Sequence, residues 1–251
     1  MKISIVTPTF NSAETLRDTL ESILSQSYDD YEVLIQDAGS KDGTLDIVQE
    51  YEPKFRGRLK VVSEADKGLY DGFNRGSKRA TGDVVGVLNS DDFYTSANVL
   101  ETIAKTFTEN PGLDAVYADV HYVDPSDIKH MVRYYSSKNF TPERMQMGYM
   151  PAHPTFYCRK ECYEKYGYFD LTYRVAADFE NLLRLIYVNK IHTQYIPEDW
   201  VTMRTGGASS SGFQSHRRII RDHFRAFRKN NVKVNPFMYF WRYVEKLREF
   251  C

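Results

Sequence analysis

The sequence predicts an α/β protein, a mainly parallel sheet flanked by helices, from two observations. Segments of strand character and helix character alternate through the first hundred residues. Short connections between such segments favour right-handed strand–helix–strand crossovers, which build parallel sheets. Each predicted strand also ends in a polar loop, and ligands of such sheets bind outside the carboxyl ends of the strands. We therefore expect the polar loops to converge on one crevice.

The regular alternation covers residues 1–92. The predicted strands are short, apolar and rich in β-branched residues, and they are residues 3–7, 31–35, 59–63 and 83–88. The first predicted helix has its apolar residues on one face, namely Leu16, Leu20, Ile23 and Leu24. We expect Asn11 or Ser12 to cap it. Two more helices are predicted at residues 45–51 and 69–79.

The pattern is less regular after residue 92. A helix at residues 97–108 precedes a strand at 115–123 that leads into a hairpin. A second α+β stretch at 153–170 is followed by a helix at 176–187. Residues 204–212 are dominated by Gly and Ser and are predicted to be a mobile loop. From residue 213 onward we expect a helical extension of one or two helices.

Composition excludes several classes of protein. The chain has 251 residues, of which 42% are hydrophobic, so it can bury a large core and is not disordered. The three cysteines, Cys158, Cys162 and Cys251, do not make a disulfide framework. The N-terminus lacks the apolar core of a signal peptide, and no run is as long as a membrane span. We expect a cytoplasmic protein, free or peripheral at the cytosolic face of a membrane.

Five motifs in order point to a known family. They are TPTFN, QDAGSKDGT, EADKGLYDGFNRG, LNSDD and AADFENLLRL. As a set they resemble the family 2 glycosyltransferases of the Rossmann-like GT-A fold, over residues 2–210, and most closely a bacterial subgroup that builds surface polysaccharides on lipid carriers. The resemblance implies an inverting transfer of a sugar from a nucleotide-sugar, usually a UDP-sugar, with a divalent metal, Mn²⁺ or Mg²⁺. The implied acceptor is a glycan or a sugar on a lipid pyrophosphate.

This resemblance also divides the chain. Residues 1–212 form the expected catalytic domain, with a nucleotide-sugar-binding half at 1–92 and an acceptor half at 93–212. Residues 213–251 form the helical tail.

A pair of adjacent carboxylates follows the fourth predicted strand. LNSDD lies where the family has its DxD-like motif, so the resemblance places Asn89, Ser90 and Asp91 at the nucleotide-sugar. It gives Asp91 and Asp92 as metal ligands, and hard cations do bridge carboxylate oxygens to a diphosphate. Asn89 stands where many relatives have Asp, which leaves fewer charges for the metal. The alternative is that Asp92 caps a following helix.

The first loop is expected to form a wall around the nucleoside. The resemblance places Thr7, Pro8 and Phe10 there. Phe10 either stacks on the base or packs in the core.

The second loop, QDAGSKDGT, departs from the family pattern DDGSxDGT. Asp37 matches its first Asp, whereas the second is Ala38, so uridine recognition is expected to rest on Asp37 and on backbone groups. Gly39 permits close approach of a ligand. We interpret residues 42–44, Asp-Gly-Thr, as turn and helix-cap chemistry.

The third loop is expected at the edge of the nucleotide. The resemblance places Glu64 and Lys67 there, and Lys67 can offset diphosphate charge as a point cation. Phe73 stands where relatives have Arg, so no phosphate role is carried to that position. Asp71 and Asn74 face either the crevice or solvent.

The later motifs supply the acceptor side. Asp178 matches the family's general base, which takes the proton of the acceptor hydroxyl, although a carboxylate at a helix start can also serve only the helix dipole. Glu180 is the rival base and a candidate acceptor contact. His153 matches a position lining the acceptor region, or is a structural hydrogen-bonding residue. Arg204 is expected to help hold the diphosphate.

The tail combines positive charge with aromatic rings. From His216 to Cys251 there are 10 Lys or Arg against 3 Asp or Glu, a net charge of +7, whereas the whole chain has −1. This composition is typical of a peripheral membrane contact, and also of a helix that packs its aromatics on the domain or in a homodimer. Nucleic-acid binding is not expected, because no RNA or DNA module is present.

Two other functions use part of the same crevice. A nucleotidyltransferase would carry a Gly-rich, basic signature after the first strand, and TPTFNSAETLRD has none. A non-catalytic nucleotide-sugar or glycan-binding module would need neither the base nor the metal site.

Overall fold

The computed structural model describes residues 1–206 and 212–248, with side chains described for residues 1–206 and 217–242. Residues 207–211 of the predicted mobile loop therefore lie outside the described residues. The strands of the described chain form one sheet, in the order β3-β2-β1-β4-β8-β6-β9-β5 with β7 paired to β6. They are β1 (Ile3–Thr9), β2 (Tyr31–Asp37), β3 (Leu59–Ser63), β4 (Val84–Val87), β5 (Phe93–Tyr94), β6 (Ala115–Asp124), β7 (Asp127–Tyr135), β8 (Tyr157–Arg159) and β9 (Thr193–Arg204).

The first half of the sheet is parallel, as predicted. β1 pairs in parallel with both β2 and β4, and β2 pairs in parallel with β3. The second half is mixed, because β8 is antiparallel to β4 and β6, whereas β6 and β9 are parallel. β1 is longer than predicted because its pairing with β2 continues to Thr9, through Pro8. Its pairing with β4 ends earlier, at Val6.

Helices cover both faces of this sheet. They are α1 (Leu16–Leu24), α2 (Thr44–Tyr51), α3 (Leu69–Arg79), α4 (Val99–Glu109), α5 (Lys160–Tyr166), α6 (Ala177–Leu182), α7 (Gly212–Lys229) and α8 (Pro236–Arg248). α6 continues directly into a π-helical segment, Leu183–Val188. The predicted helices are confirmed within a few residues, and the tail forms two of them.

The predicted cap of α1 is wrong. Thr15, and neither Asn11 nor Ser12, is the residue before the first helical position. The carbonyl of Ser12 accepts the N–H groups of Thr15 and Leu16, at 3.1 and 2.9 Å. Its hydroxyl lies 2.8 Å from that of Ser90 instead, so a loop-to-loop contact replaces the cap.

Side chains of the strands pack into two hydrophobic cores, one on each face of the sheet. Ile35 belongs to one cluster and its neighbour Leu34 to the other, as expected for strands buried on both faces. On the second face α3 lies very close to β1. A Cβ on Gly76 would come within 2.4 Å of the Val6 side chain, so this helix packs at a distance that only glycine allows.

The tail packs on the second half of the chain. Asp170 accepts a hydrogen bond from Lys229 of α7 at 2.6 Å. α8 packs on the turn that ends at Gly148, where φ is +79° and a Cβ would collide with Arg242 and Tyr239. Within residues 1–206 and 212–248, no helix is both long enough and apolar enough to span a membrane.

Candidate active site

The loop after β1 presents one aromatic ring to solvent. Phe10 is 62% exposed, so the stacking position is open and core packing is excluded. Thr7 and Pro8 are buried, and the Thr7 hydroxyl has no hydrogen-bond partner among the described residues. Of the three predicted wall residues, Phe10 alone has a side chain placed to touch a nucleoside.

Asp37 holds its own loop together. Its carboxylate accepts hydrogen bonds from the hydroxyls of Thr9, Ser40 and Ser63 and from the backbone N–H groups of Gly39 and Ser40. Burial acts to raise the pKa of Asp37, but these bonds outweigh it and the pKa lies below its usual value. A carboxylate has about four lone-pair sites, so the predicted direct contact of Asp37 with uracil is not supported. Gly39, with φ +85°, has open space around it.

The Asp-Gly-Thr segment is a turn, as interpreted. Asp42 accepts hydrogen bonds from the backbone N–H and the hydroxyl of Thr44, and from the N–H of Ala13. Gly43, with φ +93°, precedes α2. This segment supports the crevice without reaching into it.

The third loop places one cation at the surface. The Lys67 side chain is exposed, and its backbone N–H donates to Asp71 at 3.0 Å. Glu64 forms an ion pair with Arg75 at 2.8 Å, and Asp71 forms a second one with the same guanidinium. Glu64 is therefore engaged within the protein, whereas the Lys67 side chain is open to solvent.

Asn74 joins α3 to the segment before α6. Its amide donates to the Phe169 carbonyl at 2.8 Å and accepts from the Phe169 N–H at 3.0 Å. Asn74 and Asp71 are both buried, so neither faces solvent. Both side chains are instead held by protein partners, Asn74 by the Phe169 backbone and Asp71 by Arg75.

The two carboxylates that follow β4 differ in exposure. Asp91 is half-buried, whereas Asp92 is 2% exposed and accepts a hydrogen bond from the Asn89 amide at 2.9 Å. Burial, then the Asp91 charge, raises the pKa of Asp92 well above its usual range. Asp92 is thus not open to a metal beside Asp91. It does not cap a helix either, because β5 follows and α4 begins after Asn98.

Side chains from outside the Asn89–Asp92 turn hold it in place by bonding to its backbone carbonyls. The hydroxyl of Thr15 donates to the Ser90 carbonyl at 2.8 Å, and that of Thr19 donates to the Asp92 carbonyl at 2.7 Å. The Arg204 guanidinium donates to the Asp91 carbonyl between them, at 2.5 Å. Three successive carbonyls are therefore fixed by side chains, from Thr15 directly before α1, Thr19 in α1 and Arg204 in β9.

Arg204 lies beside the Asn89–Asp92 turn. Besides the Asp91 carbonyl, it forms an ion pair with Asp18 of α1, and it lies 5.2 Å from the centroid of the Phe93 ring. Its side chain is 9% exposed. In this conformation the Arg204 guanidinium is engaged with the Asp91 carbonyl and Asp18, so it positions the turn rather than holding a diphosphate.

Asp178 lies between a tyrosine and a histidine. Its Oδ1 is 3.3 Å from the Tyr70 hydroxyl, which donates to the Val175 carbonyl, and its Oδ2 is 3.6 Å from Nδ1 of His153. Burial lowers the pKa of His153, although the Asp178 charge acts the other way. The neutral imidazole is therefore favoured at neutral pH. Burial, then the Asp178 charge, raises the pKa of Tyr70.

Glu180 is not available as a base or an acceptor contact, which corrects the prediction. Its side chain is 0% exposed and forms an ion pair with Arg184 at 3.2 Å. Asn230, which directly follows α7, donates to the same carboxylate at 3.0 Å. Residues two apart on a helix face different sides, and this one faces the tail.

The half-buried Asp91 suits a metal ion that a bound ligand also coordinates. Within the described chain there is no group of three or more His, Cys, Asp or Glu side chains that could hold an ion by themselves. Mg²⁺ is commonly bound through one or two carboxylates together with substrate phosphates. The donor set around Asp91 matches that mode and does not match a closed protein site.

Sequence reasoning missed the residues that position these groups. Thr15, Thr19 and Tyr70 were not singled out, although each contacts a motif residue. Thr15 directly precedes α1 and Thr19 lies four residues on, a spacing that puts two side chains on the same side of a helix, which was a usable signal. Nothing local marked Tyr70, because its partner lies 108 residues away.

Comparison with known proteins defines the class. The family model for glycosyl transferase family 2 matches residues 4–165. The chain therefore belongs to this family, and it is a glycosyltransferase with a GT-A fold. The family, the fold and the enzyme class predicted from the loop motifs are confirmed.

Individual relatives give more detail. A "PGL/p-HBAD biosynthesis glycosyltransferase" of Mycobacterium bovis is 32% identical over 193 residues, which cover 77% of this chain and 73% of that protein. The crystal structure of S. aureus TarS 1-349 in complex with UDP-GlcNAc superimposes with a TM-score of 0.72 at 22% identity. The mannosyltransferase PcManGT from Pyrobaculum calidifontis, in complex with GDP-Man and Mn²⁺, gives 0.65 at 19% identity.

These structural matches show the fold alone. They cover 90% and 94% of this chain but 66% of each solved chain, so the chain spans just under two thirds of their length.

Proposed function

We propose that this protein transfers a sugar, with inversion, from a nucleotide-sugar to a hydroxyl of a glycan or a lipid-linked glycan in polysaccharide biosynthesis. The observation that carries the proposal is the placement of Asp178. It is a partly accessible carboxylate, 15% exposed, with Tyr70 and His153 on its two oxygens. This is the arrangement expected of an oriented general base.

The donor would lie at the carboxyl ends of β1–β4. The exposed Phe10 ring offers a stacking surface for a base, and Lys67 offers a cation for the diphosphate. Asp91 would hold a divalent metal together with the diphosphate. When bound, such a metal neutralises the charge that develops on the leaving group. We favour UDP as the donor nucleotide. The mannosyltransferase PcManGT, which has the same fold, is in complex with GDP-Man instead.

Asp178 would then act on the acceptor. Its carboxylate takes the proton of the attacking hydroxyl as the oxygen bonds to the anomeric carbon. The bond from that carbon to the diphosphate breaks at the same time, and its electron pair leaves with the phosphate. The neighbouring His153 favours its neutral form, so it does not tie up the Asp178 carboxylate in an ion pair.

A donor screen tests the proposal. UDP-sugars and GDP-sugars are added to the full chain with Mn²⁺ or with a chelator, and the melting temperature and hydrolysis of each nucleotide are measured. A true donor raises the melting temperature by mass action, by an amount that depends on the metal. Absence of any metal-dependent shift or hydrolysis across the panel would contradict the proposed activity.

We also propose that α8 contacts a membrane surface, since the lipid-linked acceptor would be found there. Phe237 is 86% exposed, and Met238 and Trp241 are each 50% exposed, although Tyr239 packs on the domain. Exposed aromatics beside basic residues are typical of interfacial helices. A basic cleft lies along α7, lined by Arg174, Arg221, Arg225, Arg228 and Lys229.

Tryptophan fluorescence tests this contact. The chain has two tryptophans, and Trp200 is fully buried, so a change on mixing with vesicles reports on Trp241. We expect a blue shift with vesicles that contain anionic lipid and none with Trp241→Phe. An unchanged spectrum for the wild type would count against the membrane contact.

A further inference from the structure

A pocket of about 190 Å³ opens beside the candidate base, between β6, β7 and residues 148–154. His153, which neighbours Asp178, forms one wall. Tyr122 forms another. In the pairing of β6 with β9, Tyr122 lies opposite Met203, and its neighbour Val123 lies opposite Arg204, which donates to the Asp91 carbonyl of the Asn89–Asp92 turn. The pocket therefore extends from the base toward the donor end of the crevice.

The size and walls of the pocket suit a single sugar unit. Pockets for drug-sized ligands start at roughly 300 Å³, so a smaller ligand is expected here. Three tyrosines line it, Tyr122, Tyr135 and Tyr149. Aromatic rings with a polar edge provide both a flat apolar face and a hydrogen-bonding group.

The charged groups in the walls are cationic. Arg133 is exposed on β7, with its guanidinium 5.4 Å from the Tyr122 ring centroid and 5.8 Å from that of Tyr135. Arg242 of α8 also lines the pocket and donates to the Gly148 carbonyl at 3.1 Å. No Asp or Glu is among the described residues that line it. A stacked guanidinium keeps N–H donors in its plane, where they match a carboxylate or a phosphate.

We propose that this pocket holds the acceptor sugar and that Arg133 pairs with an anionic group on it. The group is either the carboxylate of an acidic sugar or the phosphate of a glycosyl phosphate, since both match a guanidinium fork. The inference rests on the proposed function, because it takes Asp178 as the base. It adds that the enzyme selects its acceptor by charge.

Three small probes test the selection. Methyl β-glucuronide, glucose 1-phosphate and the neutral methyl β-glucoside are titrated into the full chain in the presence of UDP and Mn²⁺, with binding followed by NMR. We expect at least one anionic probe to bind about tenfold more tightly than the neutral one, or about 1.4 kcal/mol. The better anionic probe identifies the group as a carboxylate or a phosphate.

Variants on one strand provide the control. Arg133→Gln should abolish the preference for anions, while Lys129→Gln, which removes an exposed charge from the same strand outside the pocket, should retain it. Equal binding of neutral and anionic probes by the wild type would overturn the inference, as would a preference that survives Arg133→Gln. UDP binding is measured in the same samples, so failure of the donor site is seen separately.

Discussion

The two ends of the crevice are held in different ways. At the donor end, the Asn89–Asp92 turn is fixed through its backbone, since Thr15, Arg204 and Thr19 each bond one carbonyl. At the acceptor end, Asp178 is held through its side chain, by a 3.3 Å contact with Tyr70 and a 3.6 Å contact with His153. The donor end therefore has a preformed geometry, whereas the acceptor end relies on longer, adjustable contacts.

The helices that carry the two ends differ in the same sense. α1 is a regular helix, and Thr19 within it and Thr15 directly before it face the turn. α6 has six residues and passes into a π-helical segment. Such segments are rare and occur often at functional sites. The turn of the proposed donor site is thus held by a regular helix, whereas the proposed base lies on a short helix that continues into a π-helical segment.

The largest effect is expected at the base. Asp178→Asn keeps the shape of the side chain but cannot accept the proton, so turnover should fall on the order of 10²-fold or more while nucleotide-sugar affinity is retained. Turnover is measured with the donor found in the screen, and affinity by calorimetry. Glu161→Gln, an exposed carboxylate on α5, serves as the control. Near-normal turnover of the Asn variant would remove Asp178 from the mechanism.

The next effect separates two neighbouring carboxylates. Asp91→Asn should weaken Mn²⁺-dependent nucleotide binding at least about tenfold, or about 1.4 kcal/mol, because it removes the accessible charge. Asp92→Asn should keep that binding, because this side chain is buried and faces Asn89. Calorimetry with and without Mn²⁺ makes the comparison. If the two variants lose metal dependence equally, the distinction between them is wrong.

Two smaller effects compare the backbone anchoring of the Asn89–Asp92 turn with the side-chain contacts of Asp178. Thr19→Val removes the donor to a buried carbonyl and should lower the free energy of unfolding by about 1–3 kcal/mol, with weaker nucleotide binding. Tyr70→Phe should leave nucleotide binding unchanged and lower turnover only several-fold. Thr106→Val on α4, whose hydroxyl bonds a helix carbonyl far from the crevice, is the matched control. The comparison fails if Tyr70→Phe weakens nucleotide binding as much as Thr19→Val does.

The smallest effect is a pH dependence from the Asp37 loop. The folded-state pKa of Asp37 lies below that of the unfolded chain, so the unfolded state binds the proton more readily. The stabilisation is complete above about pH 4–5 and is lost as the pH falls through the folded-state pKa. The gap in melting temperature between wild type and Asp37→Asn should therefore shrink on acidification. A constant gap would mean that the hydrogen bonds do not favour the charged form.

Local patterns were sufficient to predict the donor half. Its strands and helices show their periodicity within a few residues, and its loops follow from parallel topology. The proposal of Asp178 as the base also rests on motif order. The exposure of individual residues within a motif could not be predicted in this way. Asp91 and Asp92 are adjacent in sequence, and only the packing of α1 and β9 separates their roles.

Long-range contacts explain the other errors. Glu180 resembled a second base because it is two residues from Asp178. Its burial depends on Arg184 and on Asn230, which is 50 residues away. The pocket beside His153 could not be predicted either, since its walls come from β6, β7 and α8, which are far apart in sequence.

The contact of α8 with Gly148 has a consequence for synthesis of the chain. Residues 1–92 leave the ribosome well before α8 does, and N-terminal parts of a protein generally fold first. The crevice loops that follow β1–β4 can therefore take shape while the Arg242 wall of the pocket is still untranslated. In a nascent chain the loops of the proposed donor site would therefore form before the pocket, whose Arg242 wall is made last.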